Sequence, residues 1–287
     1  MLKIVFIFAE YSLHNHIIES YIHERPEDQI SIIKVPLVLK SKSRVDTASR
    51  ILPKLSKRFI ADKLFEYFII LFVTLLPKFL TKGAVFRRLK RIATKNKIPY
   101  HKSTNIISPE TIEFIKKQNP DLIITMFHQI ITDELITIPT YGIINLHPGL
   151  IPDFKGIQPY FWELSEGSER AGVSMHLIVD QEIDSGPLLS ISSYKIPPRI
   201  SVQLNYFLTT LSAAKVLPEC IRLFIAGELS PKAQTTNQGS YYKWPDSEAY
   251  NRLKKSNYSV ISLKDIYAIL TGKYDNFSPD EITYFRK

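Results

Sequence analysis

With 287 residues, 45% of them apolar and 23% charged, the chain can bury one large domain, or one domain with an appendage, and intrinsic disorder is excluded as its default state. A single cysteine, Cys220, excludes an intrachain disulfide and suits a reducing compartment, so a cytoplasmic location is the economical expectation. The 37 Lys and Arg against 28 Asp and Glu leave a formal charge of +9, which favours an anionic partner (phosphate, nucleotide, RNA or an anionic membrane surface) without choosing among them.

Residues 2–9 are apolar, lack a basic leader and a small-residue cleavage site, and read as a first buried strand rather than a removable signal. A helix over 11–25 and a strand over 29–38 follow, so the chain opens as an α/β unit in which parallel strands come naturally. His14 and His16 have no carboxylate or cysteine partners at metal-ligand spacing, and no metal is expected. Between residues 42 and 97 cations concentrate: Lys54, Lys57, Arg58, Lys63, Lys78, Lys82, Arg87, Arg88, Lys90 and Arg91. They surround residues 64–76, a run broken only by Glu66, Tyr67 and Thr74 and too short for a bilayer span of about twenty residues. That run suits a buried helix, an oligomer contact or an interfacial membrane anchor, and the cations suit a solvated helical face or a binding role.

Ser108 with Pro109 and Glu110 has the makings of a capped helix start, with Ile112 and Ile115 on one face and an end near Asn119-Pro120. Residues 122–127 read as a buried strand, 133–138 as a short helix and 142–147 as a strand closed by Pro148. Side chains alternate across a strand, so Asn145 and His147 share a face at its end, where open α/β sheets bind ligands. Residues 173–180 form a further strand, with His176 opposite Met175 and Leu177, and a turn at Gly186 leaves Asp184 on a loop. An amide, an imidazole and a carboxylate are the parts needed to move an acyl group onto a neutral amine. Residues 201–227 read as one long amphipathic helix that Pro218 should bend; after a Tyr-rich segment over 238–245, short helices are predicted over 247–255 and 263–270.

Asn145-Leu146-His147-Pro148, Leu150-Ile151-Pro152, Gly156-Ile157-Gln158-Pro159 and Asp184-Ser185-Gly186 occur in that order. Together they resemble the formyltransferase family that uses 10-formyltetrahydrofolate, whose members include glycinamide ribonucleotide, methionyl-tRNA and sugar N-formyltransferases. The resemblance is dense over 121–197 and thinner over the first strand and the Tyr-rich segment. It implies an α/β fold: a Rossmann-like, mostly parallel sheet with flanking helices, a helical insertion and a small C-terminal extension. The formyltransferase-like domain would cover 1–227 with an insertion about 41–83, and the extension 228–287.

The resemblance also implies roles. Asn145 would donate to the oxyanion that develops on the formyl group, a protonated His147 would do likewise with charge, and Asp184 would hold the imidazolium or guide a water that accepts the proton. Phe127, His128, Gln129 and Ile130 fall where the family's folate-binding loop lies, and Ile183 could join them, although Phe127 suits the core equally well. His176 is either an orienting group for Asp184 or a water, or a satisfied core histidine. Gln158, Tyr241 and Tyr242 are candidate substrate contacts, with a packed aromatic loop as the alternative for the tyrosines.

The family implies 10-formyltetrahydrofolate as cosubstrate and no metal. Its glycinamide ribonucleotide branch carries a Gly-rich phosphate loop after the first strand, where this chain has Glu10-Tyr11-Ser12-Leu13-His14-Asn15-His16, so that acceptor is disfavoured. Residues after 227 are too few for the β-barrel tail of full-length methionyl-tRNA enzymes. The leading acceptor is an anionic small molecule bearing an amine, an amino sugar linked to a nucleotide or a lipid. Alternatives are a methionyl-tRNA-type enzyme acting on RNA, a hydrolase releasing formate, and a noncatalytic folate-fold scaffold. Oligomerisation and peripheral membrane contact through 64–76 stay open.

Overall fold

Lys3–Ala9 (β1) buries side chains on both of its faces, as a central strand covered from two sides must. The chain continues through a 3-10 turn, Ser12–His14, into Asn15–Glu24 (α1), Gln29–Val35 (β2), Lys57–Leu75 (α2), Leu89–Lys95 (α3) and Tyr100–Lys102 (β3). Next come Pro109–Gln118 (α4), Leu122–Met126 (β4), Asp133–Ile136 (α5), Ile143–His147 (β5), Phe154–Gly156 (β6), Pro159–Ser165 (α6) and Arg170–Ile178 (β7). Leu188–Lys195 (β8), Val202–Ile225 (α7), Ser240–Tyr242 (β9), Ser247–Lys255 (α8), Leu263–Leu270 (α9) and Glu281–Tyr284 (β10) complete it. This computed structural model describes residues 1–9, 12–36, 57–75, 89–127, 129–235 and 239–287. Predicted features at Glu10, Tyr11, His128, Gln238 and the insertion limits 41 and 83 lie outside the described residues.

Eight strands form one sheet in the order β10-β8-β7-β5-β4-β1-β2-β3, and β6 pairs with β9 in a second, small one. From β3 to β5 all neighbours are parallel, whereas β7, β8 and β10 are added antiparallel beyond β5. The sheet therefore changes character beside β5, the strand that carries Asn145 and His147. Ile4, Phe6 and Phe8 of β1 pack on one face with α1, α3, α6 and α7, while Val5, Ile7 and Ala9 pack on the other with α4 and α5. Each of these fully buried Val, Ile and Phe side chains contributes about 1.5–3 kcal/mol relative to exposure.

Local signals translate directly at α4, where Ser108 Oγ accepts from the Thr111 amide, Pro109 opens the helix and Asn119 closes it at φ 46°. Pro218 lies inside α7 without ending it. Two strands absent from the sequence expectations complete the antiparallel edge. In β8 the hydroxyls of Ser190, Ser192 and Ser193 are buried, so the apolar alternation that marks a strand is missing. In β10 every residue is at least partly exposed, and pairing with β8 alone makes it a strand.

Candidate active site

Strand register builds the first half of the site. Thr125 on β4 pairs with Asn145 on β5, and Asn145 pairs with His176 on β7, so three polar side chains form one row across the sheet. Thr125 Oγ1 donates to Asn145 Oδ1 at 3.0 Å, and Asn145 Nδ2 lies 3.0 Å from His176 Nε2. The Leu177 carbonyl, 3.0 Å from His176 Nδ1, can only accept. His176 thus donates from Nδ1, while its Nε2 faces both the Asn145 amide and, at 3.6 Å, Asp184 Oδ1. With Asn145 Oδ1 toward the Thr125 hydroxyl, one Nδ2 hydrogen points to His176 and the second is uncommitted among the described residues, at a half-buried position.

The second half is a buried ion pair. His147 Nδ1 lies 3.3 Å from Asp184 Oδ1, with both side chains largely buried. His147 Nε2 donates to the Phe154 carbonyl at 2.6 Å, so a hydrogen on each ring nitrogen satisfies both neighbours, an arrangement that favours the imidazolium. Burial acts to lower the His147 pKa, but the charge and hydrogen bond of Asp184, with the Phe154 carbonyl, outweigh it and raise the pKa above the ordinary 6.5. Burial acts to raise Asp184, yet His147 and then His176 hold its carboxyl well below the usual range.

Asp184 adopts φ 51°, and its Oδ2 accepts from the Gly156 amide at 2.8 Å. Gly156 is required there: φ is 96°, and a Cβ would lie 2.3 Å from the Tyr242 carbonyl oxygen. Gly186 is equally constrained, since a Cβ would sit 1.8 Å from the Leu177 carbonyl oxygen.

The other sequence-derived residues divide. Gln129 Oε1 accepts from the Ile106 amide at 3.0 Å, which leaves its buried Nε2 without a partner among the described residues and free to meet a ligand acceptor. Ile130 and Ile183 expose 55% and 51% of their surface, unusual for isoleucine and suited to covering a flat apolar ligand, whereas Phe127 packs against the α4–α5 face of the core. Gln158 starts α6 at φ 54°, and its buried Oε1 has no partner among the described residues. Tyr242 stacks on Trp162 and Phe154 and is a packing residue in this structure. Tyr241 is half exposed; burial and then the nearby charge of Asp184 raise its hydroxyl pKa.

Three contributors escaped the sequence reading. Thr125 carried a signal, being the polar residue of the buried run Leu122–Met126. Glu163 and Gln234 carried none. Gln234 Nε2 donates to the carbonyls of Asp184 at 3.0 Å and Gly186 at 2.7 Å, pinning the carboxylate loop. Gln234→Ala is expected to cost about 1–2 kcal/mol of stability and to speed amide hydrogen exchange around residues 184–186. Unchanged exchange in that loop would show that Gln234 does not hold it.

The sequence pattern of the family described as formyl transferase matches residues 87–220. A methionyl-tRNA formyltransferase from Trichlorobacter lovleyi is 31% identical over 154 residues, covering 53% of this chain and 48% of that protein. The chain thus spans about half the length of that relative. Among solved structures, an N-formyltransferase from Helicobacter canadensis in complex with folinic acid and dTDP-3-aminofucose aligns with TM-score 0.56 and 14% identity, over 90% of this chain and 81% of that one. A sugar N-formyltransferase from Shewanella sp. aligns with TM-score 0.54 and 13% identity, over 88% and 87%. At such identities these structures establish a shared fold.

Proposed function

We propose that this chain, whose residues 87–220 belong to the formyl transferase family, moves a formyl group from 10-formyltetrahydrofolate to the primary amine of an acceptor. The observation that carries the reading is the Asn145 amide. It lies between Thr125 and His176 and, with its oxygen toward Thr125, has one N–H uncommitted among the described residues beside the His147–Asp184 pair. The folate supplies a formyl carbon already bonded to nitrogen, so transfer exchanges one C–N bond for another and moves one proton.

The chain's own groups answer the charge that develops. Asn145 offers its free N–H to the formyl oxygen, and the His147 imidazolium adds a fixed positive field in a site of low dielectric. Asp184 acts as counterion: with its pKa held well below the usual carboxylate range it is a weak base, and it keeps the imidazole charged instead of taking the amine proton. Gln129 Nε2, with Ile130 and Ile183, offers a donor and apolar cover suited to a pterin.

An amino sugar is the leading acceptor. Similarity to sugar N-formyltransferases over most of the chain supports it, and the lack of glycine in Glu10-Tyr11-Ser12-Leu13-His14-Asn15-His16 counts against glycinamide ribonucleotide. A methionyl-tRNA acceptor is the second reading, favoured by the sequence relatives. Tetrahydrofolate release from 10-formyltetrahydrofolate, measured with a panel of amino-sugar nucleotides and with methionyl-tRNA, separates them. Asn145→Ala is expected to slow acceptor-dependent release by about a hundred- to a thousandfold. Release that needs no acceptor would instead make the chain a hydrolase.

A further inference from the structure

Over residues 57–69 helix α2 is inside out. Its inward side carries Phe59, packed edge-on against Phe161, together with buried Glu66, which binds Lys63 at 2.7 Å. Asp62 accepts from Tyr250 on α8 at 2.8 Å. Its outward side carries Leu64, Phe65 and Phe68, which expose 55%, 49% and 62% of their surface. Ala61, Leu64, Phe65 and Phe68 recur at helical spacing and form one stripe, and Tyr67 leans edge-on against Phe68 with 61% exposure. A surface helix normally shows the opposite arrangement, and a continuous apolar stripe in water marks an interaction surface.

Charge identifies what covers it. Lys57 stands exposed at the start of the same stripe, four residues before Ala61. On α8, Lys254 lies over the ring of Tyr250 that bonds α2, and Lys255 is exposed beside it. The whole chain carries +9. A second copy would bring the same cations and the same excess charge to the contact, whereas an anionic bilayer brings the opposite sign and an apolar interior. Among the described residues no helix is long and apolar enough to cross a membrane, so α2 would lie along the surface. From this geometry we propose that the outward face of α2 docks the protein on an anionic lipid bilayer, with Leu64, Phe65 and Phe68 inserted at the headgroup boundary.

The test is sedimentation of the full chain with phosphatidylcholine vesicles, with and without phosphatidylglycerol. The chain should bind the phosphatidylglycerol vesicles preferentially and be released by salt. Joint substitution Leu64→Glu, Phe65→Glu and Phe68→Glu should weaken partitioning by about tenfold or more with circular dichroism unchanged. Separately, Phe68→Trp should shift its emission to the blue on these vesicles, a readout that does not depend on the triple variant folding. Wild type that stays in solution, a triple variant that binds undiminished, or an unshifted Trp emission would overturn the proposal. So would a wild-type dimer that the triple variant dissolves in the absence of vesicle binding, which would give the stripe to a second copy.

Discussion

Asp184→Asn is expected to lower kcat/KM for formyl transfer by about a hundredfold or more with the fold retained. Asparagine keeps the size of aspartate and can still accept from the Gly156 amide, so the loop should survive; what disappears is the charge facing His147. In the wild type that charge overcomes the burial of the imidazole and holds its pKa above 6.5. Without it only the Phe154 carbonyl opposes burial, so the pKa of the imidazole falls and its charged form is disfavoured.

The same pair shapes stability against pH. Asp184, with a lowered pKa, contributes stability that is complete above 3.8 and fades as pH falls through its folded value. His147, with a raised pKa, contributes stability that is complete below 6.5 and fades as pH rises through its folded value. The pair is therefore worth most between those limits, and Asp184→Asn should flatten both flanks. Steady-state kinetics with an NMR titration of the His147 ring checks this. Wild-type turnover in the variant, with the ring titrating as before, would remove the ion pair from the mechanism.

Glu163→Ala should destabilise the protein by about 3–5 kcal/mol in urea unfolding, because it removes the acceptor of three N–H groups, two of them in fully buried contacts. Glu163 Oε1 accepts from the amides of Leu150 and Gly172 at 3.2 and 3.3 Å, and Oε2 accepts from Asn205 Nδ2 at 3.2 Å. The Leu150 contact, with the Ser174 hydroxyl between the Gly149 carbonyl and the Ile151 amide, ties down the turn that follows His147. Glu163→Gln retains an acceptor for the two amides and should cost only about 1 kcal/mol.

Burial raises the Glu163 pKa well above 4.5, although its three N–H partners pull it back. The folded state therefore binds this proton more tightly than the unfolded state. The associated stability is present below 4.5 and is lost as pH rises through the folded pKa. Glutamine has no such proton, so the gap between wild type and Glu163→Gln should narrow as pH increases. A gap that is independent of pH would mean that Glu163 does not take up a proton on folding.

The sequence alone determined whatever depends on near neighbours. Period-two alternation places Asn145 and His147 on one face, and Pro148 ends their strand because it has no N–H for the ladder. Ser108 starts α4 as its hydroxyl dictates, and the positive φ at Gly156 answers a glycine already conspicuous in the motif. The tertiary structure decided what depends on residues far apart in the chain. The row Thr125, Asn145 and His176 exists only through the register of three strands, which many remote contacts set together. Gln234 reaches a loop 50 residues away, and the partner of His147 Nε2 is a backbone carbonyl that no side-chain pattern encodes. For α2 the apolar run was plain in the sequence, but periodicity is blind to direction. Packing against Phe161 and Tyr250 turned Glu66 inward and left Leu64, Phe65 and Phe68 facing out.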